Sequence, residues 1–404
     1  MSALFSSATR ARTSMRSRAG CLAVLAATCS AAALASSEPL APPASLAIDP
    51  APLAAFDADI AAGKYPLVDS LLVMRCGQVV FDRKYPHDYG RIYSKEAHEK
   101  GPLNALLSGP YNYFDPAWHP YYHGTEAHSM QSVSKTVTSV LIGIAITRGD
   151  FKAPLSTPVL HYFDGKKVKN LDERKRRMTV QNLLTMTSGL DWNEDVAYAD
   201  AANPSDLMEA TDDWIQFVID RPMATEPGTV FQYSSGATEL LAHVFKRETG
   251  TDIEEYARRF LFSPLDIRDY HWKRTPLGVV DTEGGLFLRT QDLAKIGLLY
   301  LHDGVWAGKR IVSSDWVRNS VTPKIDAREG FKYGYLWWLL PYGEPAKTAW
   351  AARGFGGQRL LVFPDENLIV ASTAWHILKD ASIEFDVVRR ILPGVRSHQC
   401  NAHQ

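Results

Sequence analysis

The strongest constraint on the fold is where two hydrophobic periodicities fall along the chain. Strand texture lies toward both ends and helical texture lies between them. Leu71-Leu72-Val73-Met74 and Val79-Val80-Phe81 flank Cys76-Gly77-Gln78, and two β-rich runs around a short Gly-containing turn predict a hairpin. Far downstream, 333–338, 358–363 and 368–372 read as strands, with Pro364-Asp365-Glu366-Asn367 turning between the last two. The spacing predicts one buried helix over Ser132–Arg148. A second begins at Thr179 and is closed by Ser188-Gly189, and further helical spacing occupies 205–220, 236–248, 253–261, 292–301 and 380–392. Residues 85–127 are rich in Tyr, His, Pro and Gly without a period, and predict an irregular excursion. This distribution predicts an α/β (α+β) domain over 67–392. Its α/β lobe is built from both chain ends (67–130 and 283–392), and a mostly helical lobe (131–282) is inserted. A cleft between the lobes is the expected place for a ligand.

The flanks read differently. Arg10, Arg12, Arg16 and Arg18 precede an apolar stretch from Cys21 to Ala35 that ends in Ala33-Leu34-Ala35, the pattern of a signal peptide over 1–35. That stretch is shorter than the roughly 20 residues a membrane span needs, so the chain is expected to be exported, periplasmic or secreted, with no integral span in its mature form. A transit peptide is the rival reading. Residues 36–66 are Pro- and Ala-rich and read as a linker, and 393–404 as a tail. Outside the presumed signal only Cys76 and Cys400 remain, and they are read equally well as one disulfide or as two free thiols. With 44 Lys+Arg against 45 Asp+Glu, the chain lacks the basic excess of a nucleic-acid binder.

Three stretches carry chemistry. In Gln131-Ser132-Val133-Ser134-Lys135, Ser132 and Lys135 are three apart at a helix start and so share a face. A serine hydroxyl needs a base to become a nucleophile, and burial of Lys135 against the apolar run 140–147 is expected to depress its pKa toward that role. In Phe231-Gln232-Tyr233-Ser234-Ser235-Gly236, the Tyr233 hydroxyl, hydrogen-bonded to Lys135, could relay a proton to a leaving group. In Arg353-Gly354-Phe355-Gly356-Gly357-Gln358, the glycines at a strand entry allow close approach of a substrate and an oxyanion-binding N–H. Each stretch alone has an ordinary structural reading: an N-cap serine with a snorkelling lysine, a buried tyrosine, and a Gly-rich turn.

Taken together and in this order, they resemble the serine β-lactamase and penicillin-binding-protein superfamily. The resemblance is nearest to class C β-lactamases and their relatives among esterases, D-stereospecific peptidases and 6-aminohexanoate-dimer hydrolases. Leu183-Leu184-Thr185-Met186-Thr187-Ser188-Gly189-Leu190, Glu283-Gly284-Gly285-Leu286 and Tyr333-Gly334-Tyr335-Leu336-Trp337-Trp338 support it. The resemblance implies an antiparallel sheet flanked by helices and an acyl-enzyme on Ser132, with Lys135 and Tyr233 as its proton relay. It implies a substrate-binding element of Ser235, Phe355, Gly356 and Gly357, with the Gln358 N–H as second oxyanion donor, and no cofactor or metal. The chain departs from the family pattern twice: Ser235 stands for the Asn of the second element and Phe355 for the Lys of the third. The cleft is therefore expected to lack a cation, favouring an ester or linear amide of a small molecule over a β-lactam or cell-wall peptide. Arg353, two residues earlier, is the one candidate replacement.

Other chemistries fit less well. No G-x-S-x-G elbow occurs for a Ser-His-Asp hydrolase, and no HExxH occurs for a zinc hydrolase. His119 and His123 read as loop residues. Trp192, Trp337, Trp338 and Trp375 read as core or rim, with Trp337 or Trp338 able to line the cleft. β-Lactamase or D,D-peptidase activity is the alternative within the class. A non-catalytic binding or sensor module is the alternative outside it, and would be expected to lose Ser132, Lys135 or Tyr233.

Overall fold

The hairpin expected around Cys76-Gly77 forms, as β1 (Val68–Arg75) and β2 (Gln78–Lys84). The structure is a computed structural model that describes residues 40–104, 108–197, 200, 202–379, 383–397 and 400; the signal segment expected at 1–35 lies outside them. Two short strands follow the excursion, β3 (His128–Ser129) and, after the helical region, β4 (Tyr270–Trp272); with β5 (Leu286–Leu288) they form a three-stranded sheet. A small ribbon, β6 (Val305–Trp306) and β7 (Lys309–Arg310), precedes β8 (Ile325–Asp326), β9 (Lys332–Tyr333), β10 (Trp338–Tyr342), β11 (Lys347–Gly354), β12 (Gln358–Phe363) and β13 (Leu368–Ala374). The main sheet runs β2-β1-β13-β12-β11-β10-β9-β8, antiparallel throughout. β1 pairs directly with β13, so the two ends of the chain close one sheet, as the distribution of strand texture predicts.

Four helices of twelve or more residues are described: α1 (Pro50–Ala61), α2 (Val133–Arg148), α3 (Ser235–Thr249) and α4 (Thr290–Leu301). α2 is apolar around its circumference and buried from Val133 to Ala145, the pattern of a helix enclosed on every side. It packs on β11, β12 and α3, while α4 lies against β1, β12 and β13. The 205–220 stretch divides into two short helices, Pro204–Glu209 and Trp214–Ile219, because Asn203 and Asp213 each supply an N-cap. The excursion over 85–127 has only short helical turns among its described residues.

The structure corrects three expectations. Residues 36–66 are not all linker, since α1 occupies 50–61. Asp49 caps it by accepting from the Ala51 N–H at 3.0 Å, Pro50 sits at N1, and Leu53, Phe56 and Ile60 are buried at helical spacing. The Pro-Ala composition that suggests a linker is equally that of a Pro-started helix. The tail over 393–404 is tied down, because Val395 bridges to Ile48 and Cys400 forms a disulfide with Cys76 across 324 residues of sequence. The 333–338 run is not one strand: it is split between β9 and β10, with Leu336 at φ +60° between them. That turn is pinned by Leu336 N–H to Leu184 O (2.9 Å) and Thr136 Oγ1 to Leu336 O (2.7 Å).

Candidate active site

Gln131 adopts φ +48°, a left-handed conformation that costs a non-glycine residue energy and recurs at functional positions. Its carbonyl accepts from the Ser134 N–H (2.8 Å) and the Ser134 hydroxyl (2.7 Å), fixing a turn that puts Ser132 at the mouth of α2. One helical turn on, Lys135 is almost wholly buried. Its Nζ donates to Ser132 Oγ at 3.0 Å, to Ser235 Oγ at 3.1 Å and to the Glu283 carbonyl at 2.7 Å. An ammonium has three protons and no acceptor, so three acceptors are a full complement for the charged form.

The charge balance agrees. Burial, the largest influence, pulls the Lys135 pKa down, but Tyr233, Glu194, Glu283 and Asp281 together outweigh it and hold the ammonium above the ordinary lysine range. The expectation of a depressed pKa is therefore corrected. The apolar run 140–147 does bury the helix, but it says nothing of the carboxylates that other segments bring to the lysine.

Tyr233 reaches the same place from the segment before α3. Its ring lies 5.2 Å from Lys135 Nζ and 5.7 Å from the Trp338 ring, and no hydrogen bond joins its hydroxyl to Lys135. Ser235 is not presented as an amide substitute. Its N–H and hydroxyl both donate to the Glu194 carboxylate, each at 2.6 Å, and Trp192 Nε1 donates to the same group at 2.7 Å. Glu194 is thus a functional residue that sequence reasoning missed. It is a single acid in a loop, joined to Lys135 only through Ser235, and no local pattern marks it.

The third element divides. Gly354 abuts the segment leading to Ser132 so closely that a Cβ would fall 2.4 Å from the Met130 carbonyl, so only glycine fits. Gly354 and Phe355 line a cavity of about 470 Å³ with Ser132, Tyr233, Trp338 and three arginines, Arg328, Arg353 and Arg359. Gly356 and Gly357, at φ +83° and +111°, turn the chain behind it and do not line it. Gln358 is fully buried, its side chain bonded to Phe355 O (2.9 Å) and to Ala374 O (2.7 Å) and N (3.0 Å). Its expected place as oxyanion donor is corrected: Gln358 ties the hairpin to β13, and Gly354-Phe355 is the part beside Ser132. The expectation of a cleft without a cation is corrected as well.

A second space, of about 340 Å³, shares Ser132, Ser235 and Phe355 and is walled by Tyr113, Ser205, Asp206, Glu209 and Glu283. Burial, then Glu283 and Glu194, raises the Asp206 pKa to about 8. Burial, then Glu283, also pushes Glu209 well above the usual carboxylate range. No group of residues suited to a metal ion is found among the described residues. Trp337 is core and Trp338 lines the cavity; His119 is buried in the excursion, stacked 5.0 Å from Trp375.

The fold and this clustering of Ser132, Lys135 and Tyr233 define a class, and comparison with known proteins agrees. Residues 66–374 match the model of the beta-lactamase family, and the chain belongs to that family. It is 27% identical over 272 residues to the 6-aminohexanoate-dimer hydrolase of Paenarthrobacter ureafaciens, covering 62% of this chain and 67% of that one. Among solved structures it resembles a family VIII carboxylesterase (TM-score 0.61, 14% identity, 85% of this chain and 96% of that one). It also resembles a penicillin-binding protein from Bacillus halodurans (TM-score 0.60, 17% identity, 83% and 98%). At those identities the two structures speak to the fold alone.

Proposed function

We propose that this protein is a serine hydrolase that cleaves an ester or amide of a small molecule through an acyl-enzyme on Ser132. The observation that carries the reading is the 3.0 Å contact of Lys135 Nζ with Ser132 Oγ at the floor of a cavity shared with Tyr233. Because Lys135 rests as an ammonium, it cannot take the Ser132 proton; it polarises Oγ and favours a phenolate at Tyr233. Tyr233 is then the base. As Oγ attacks the carbonyl carbon, its proton passes to Tyr233, and the carbonyl oxygen becomes an oxyanion facing the Ser132 N–H and an N–H of the Gly354-Phe355 turn. The proton then goes to the leaving alcohol or amine as the C–O or C–N bond breaks. Water repeats the sequence to release the acid and restore Ser132.

The family's hydrolases make hydrolysis the prior expectation, and the presence of Ser132, Lys135 and Tyr233 together argues against a non-catalytic binding module. The Cys76–Cys400 disulfide supports export to an oxidising compartment. A fluorophosphonate probe should label the wild type at Ser132 and leave Ser132→Ala unlabelled. An adduct mapped to another serine would overturn the reading. A panel of p-nitrophenyl esters, nitrocefin, D-amino-acid peptides and 6-aminohexanoate dimer then ranks ester, lactam, peptide and linear amide.

A further inference from the structure

Three arginines converge on the cavity that holds Ser132 and Tyr233, from different parts of the chain. Arg353 in β11 and Arg359 in β12 are register partners, a pairing of like charges that destabilises a ladder unless something lies between them. Glu384 does so. Fully buried, it gives one oxygen to Arg359 Nε, while its other oxygen lies 2.8 Å from Arg353 Nη2 but off hydrogen-bond geometry. One buried carboxylate against two guanidiniums leaves this group with a net positive charge.

Arg328 adds another. Its ion pair is with Asp195, whose side chain is 69% exposed, and the second partner of Arg353, Glu329 at 3.3 Å, is 47% exposed. Exposed pairs are screened and contribute little, so a ligand anion can displace them at small cost. Aromatic faces orient both groups. The Arg353 guanidinium lies 5.1 Å from the Phe331 and Trp338 ring centres, and that of Arg328 lies 5.6 Å from Tyr233 and Trp338. Stacking holds the planes of the guanidiniums and leaves their N–H edges for a planar anion.

We propose that Arg353 and Arg328 form a carboxylate-binding subsite, so that the preferred substrate is a short ester or amide carrying a free carboxylate near the scissile carbonyl. This rests on the reading of Ser132 as nucleophile and deepens it. Phe355 removes a cation from the third element, and the arginines restore positive charge from other positions on the same wall.

The test is kcat/KM for the mono-p-nitrophenyl ester of glutaric acid against p-nitrophenyl valerate, a near-isosteric neutral ester, on wild type, Arg353→Gln and Arg328→Gln. Wild type should favour the carboxylated ester, and the ratio should fall about tenfold or more in either variant, the scale of a lost charge-assisted hydrogen bond. A wild type that favours valerate, or a ratio unmoved by both variants, overturns the subsite. Arg328 has an exposed ion-pair partner, so its variant remains informative if Arg353→Gln does not fold. Calorimetric titration of glutarate monoamide into Ser132→Ala protein separates the two readings. Binding that weakens about tenfold in Ser132→Ala/Arg328→Gln supports the subsite even if Ser132 is not the nucleophile. No binding, or equal binding, overturns it even if Ser132 is.

Discussion

Lys135 Nζ lies 3.0 Å from Ser132 Oγ and has its other two hydrogen bonds on Ser235 and the Glu283 carbonyl, so the lysine enters the reaction as a cation. Removing it leaves Tyr233 without a positive neighbour and Ser132 without a donor. Lys135→Ala and Tyr233→Phe should each lower kcat by roughly 10²–10⁴-fold, the scale of general acid–base catalysis. Groups that act as one unit lose their effect together, so the double variant should be little worse than the worse single one. Additive losses in log kcat for p-nitrophenyl acetate would count against a shared relay.

Glu194 is a positioning residue whose effect reaches Ser132 through Ser235 and Lys135. Its charge helps hold the Lys135 pKa up. Glu194→Gln should lower that pKa and move the alkaline limb of the kcat/KM profile to lower pH, whereas a merely structural role would scale the profile without moving it. An unmoved limb in a folded variant would remove Glu194 from the site's electrostatics.

Asp206 sets a pH dependence of stability. Its pKa is about 8 in the fold against about 3.9 in an unfolded chain, so the fold holds a proton that the unfolded chain releases. The stability this contributes is fully present below about pH 4 and is lost as pH rises through about 8. Asp206→Asn, which keeps the neutral form, should flatten the fall in Tm between pH 6 and 9. A steeper fall in the variant would mean that the carboxylate is charged in the fold.

The Cys76–Cys400 disulfide ties the hairpin turn to the far end of the chain. Cys400→Ser should lower stability by about 2–4 kcal/mol, the usual range for a native disulfide, read as a lower midpoint in urea without loss of ester hydrolysis. An unchanged midpoint would mean that Val395 and the bridge to Ile48 hold that end unaided.

Much of the site is legible before any folding is considered. Ser132 and Lys135 share a face because one turn of helix puts residues three apart side by side. The hairpin at Gly77 and the strands at 358–363 and 368–374 follow from β-rich runs broken by turn residues. β11 is the counterexample. Its Lys-Thr-Ala-Trp-Ala-Ala-Arg sequence has no strand signature, and it is extended because β10 and β12 offer it two ladders. Likewise α1 hides in Pro-Ala composition until its buried Leu53, Phe56 and Ile60 show which face is covered.

By itself the amino-acid sequence determined the nucleophile, its lysine and tyrosine, and a sheet closed by both chain ends, because these rest on short spacings and on the placement of periodicities. The tertiary structure alone decided the electrostatics. Glu194, Ser235 and Glu283 meet at Lys135 and reverse the sign of its expected shift. Arg328, Arg353 and Arg359 meet over Glu384 and charge a cleft that the motifs leave bare. A pKa depends on every charge within a few ångströms in a medium of low dielectric, and which charges those are depends on contacts between residues far apart in the chain.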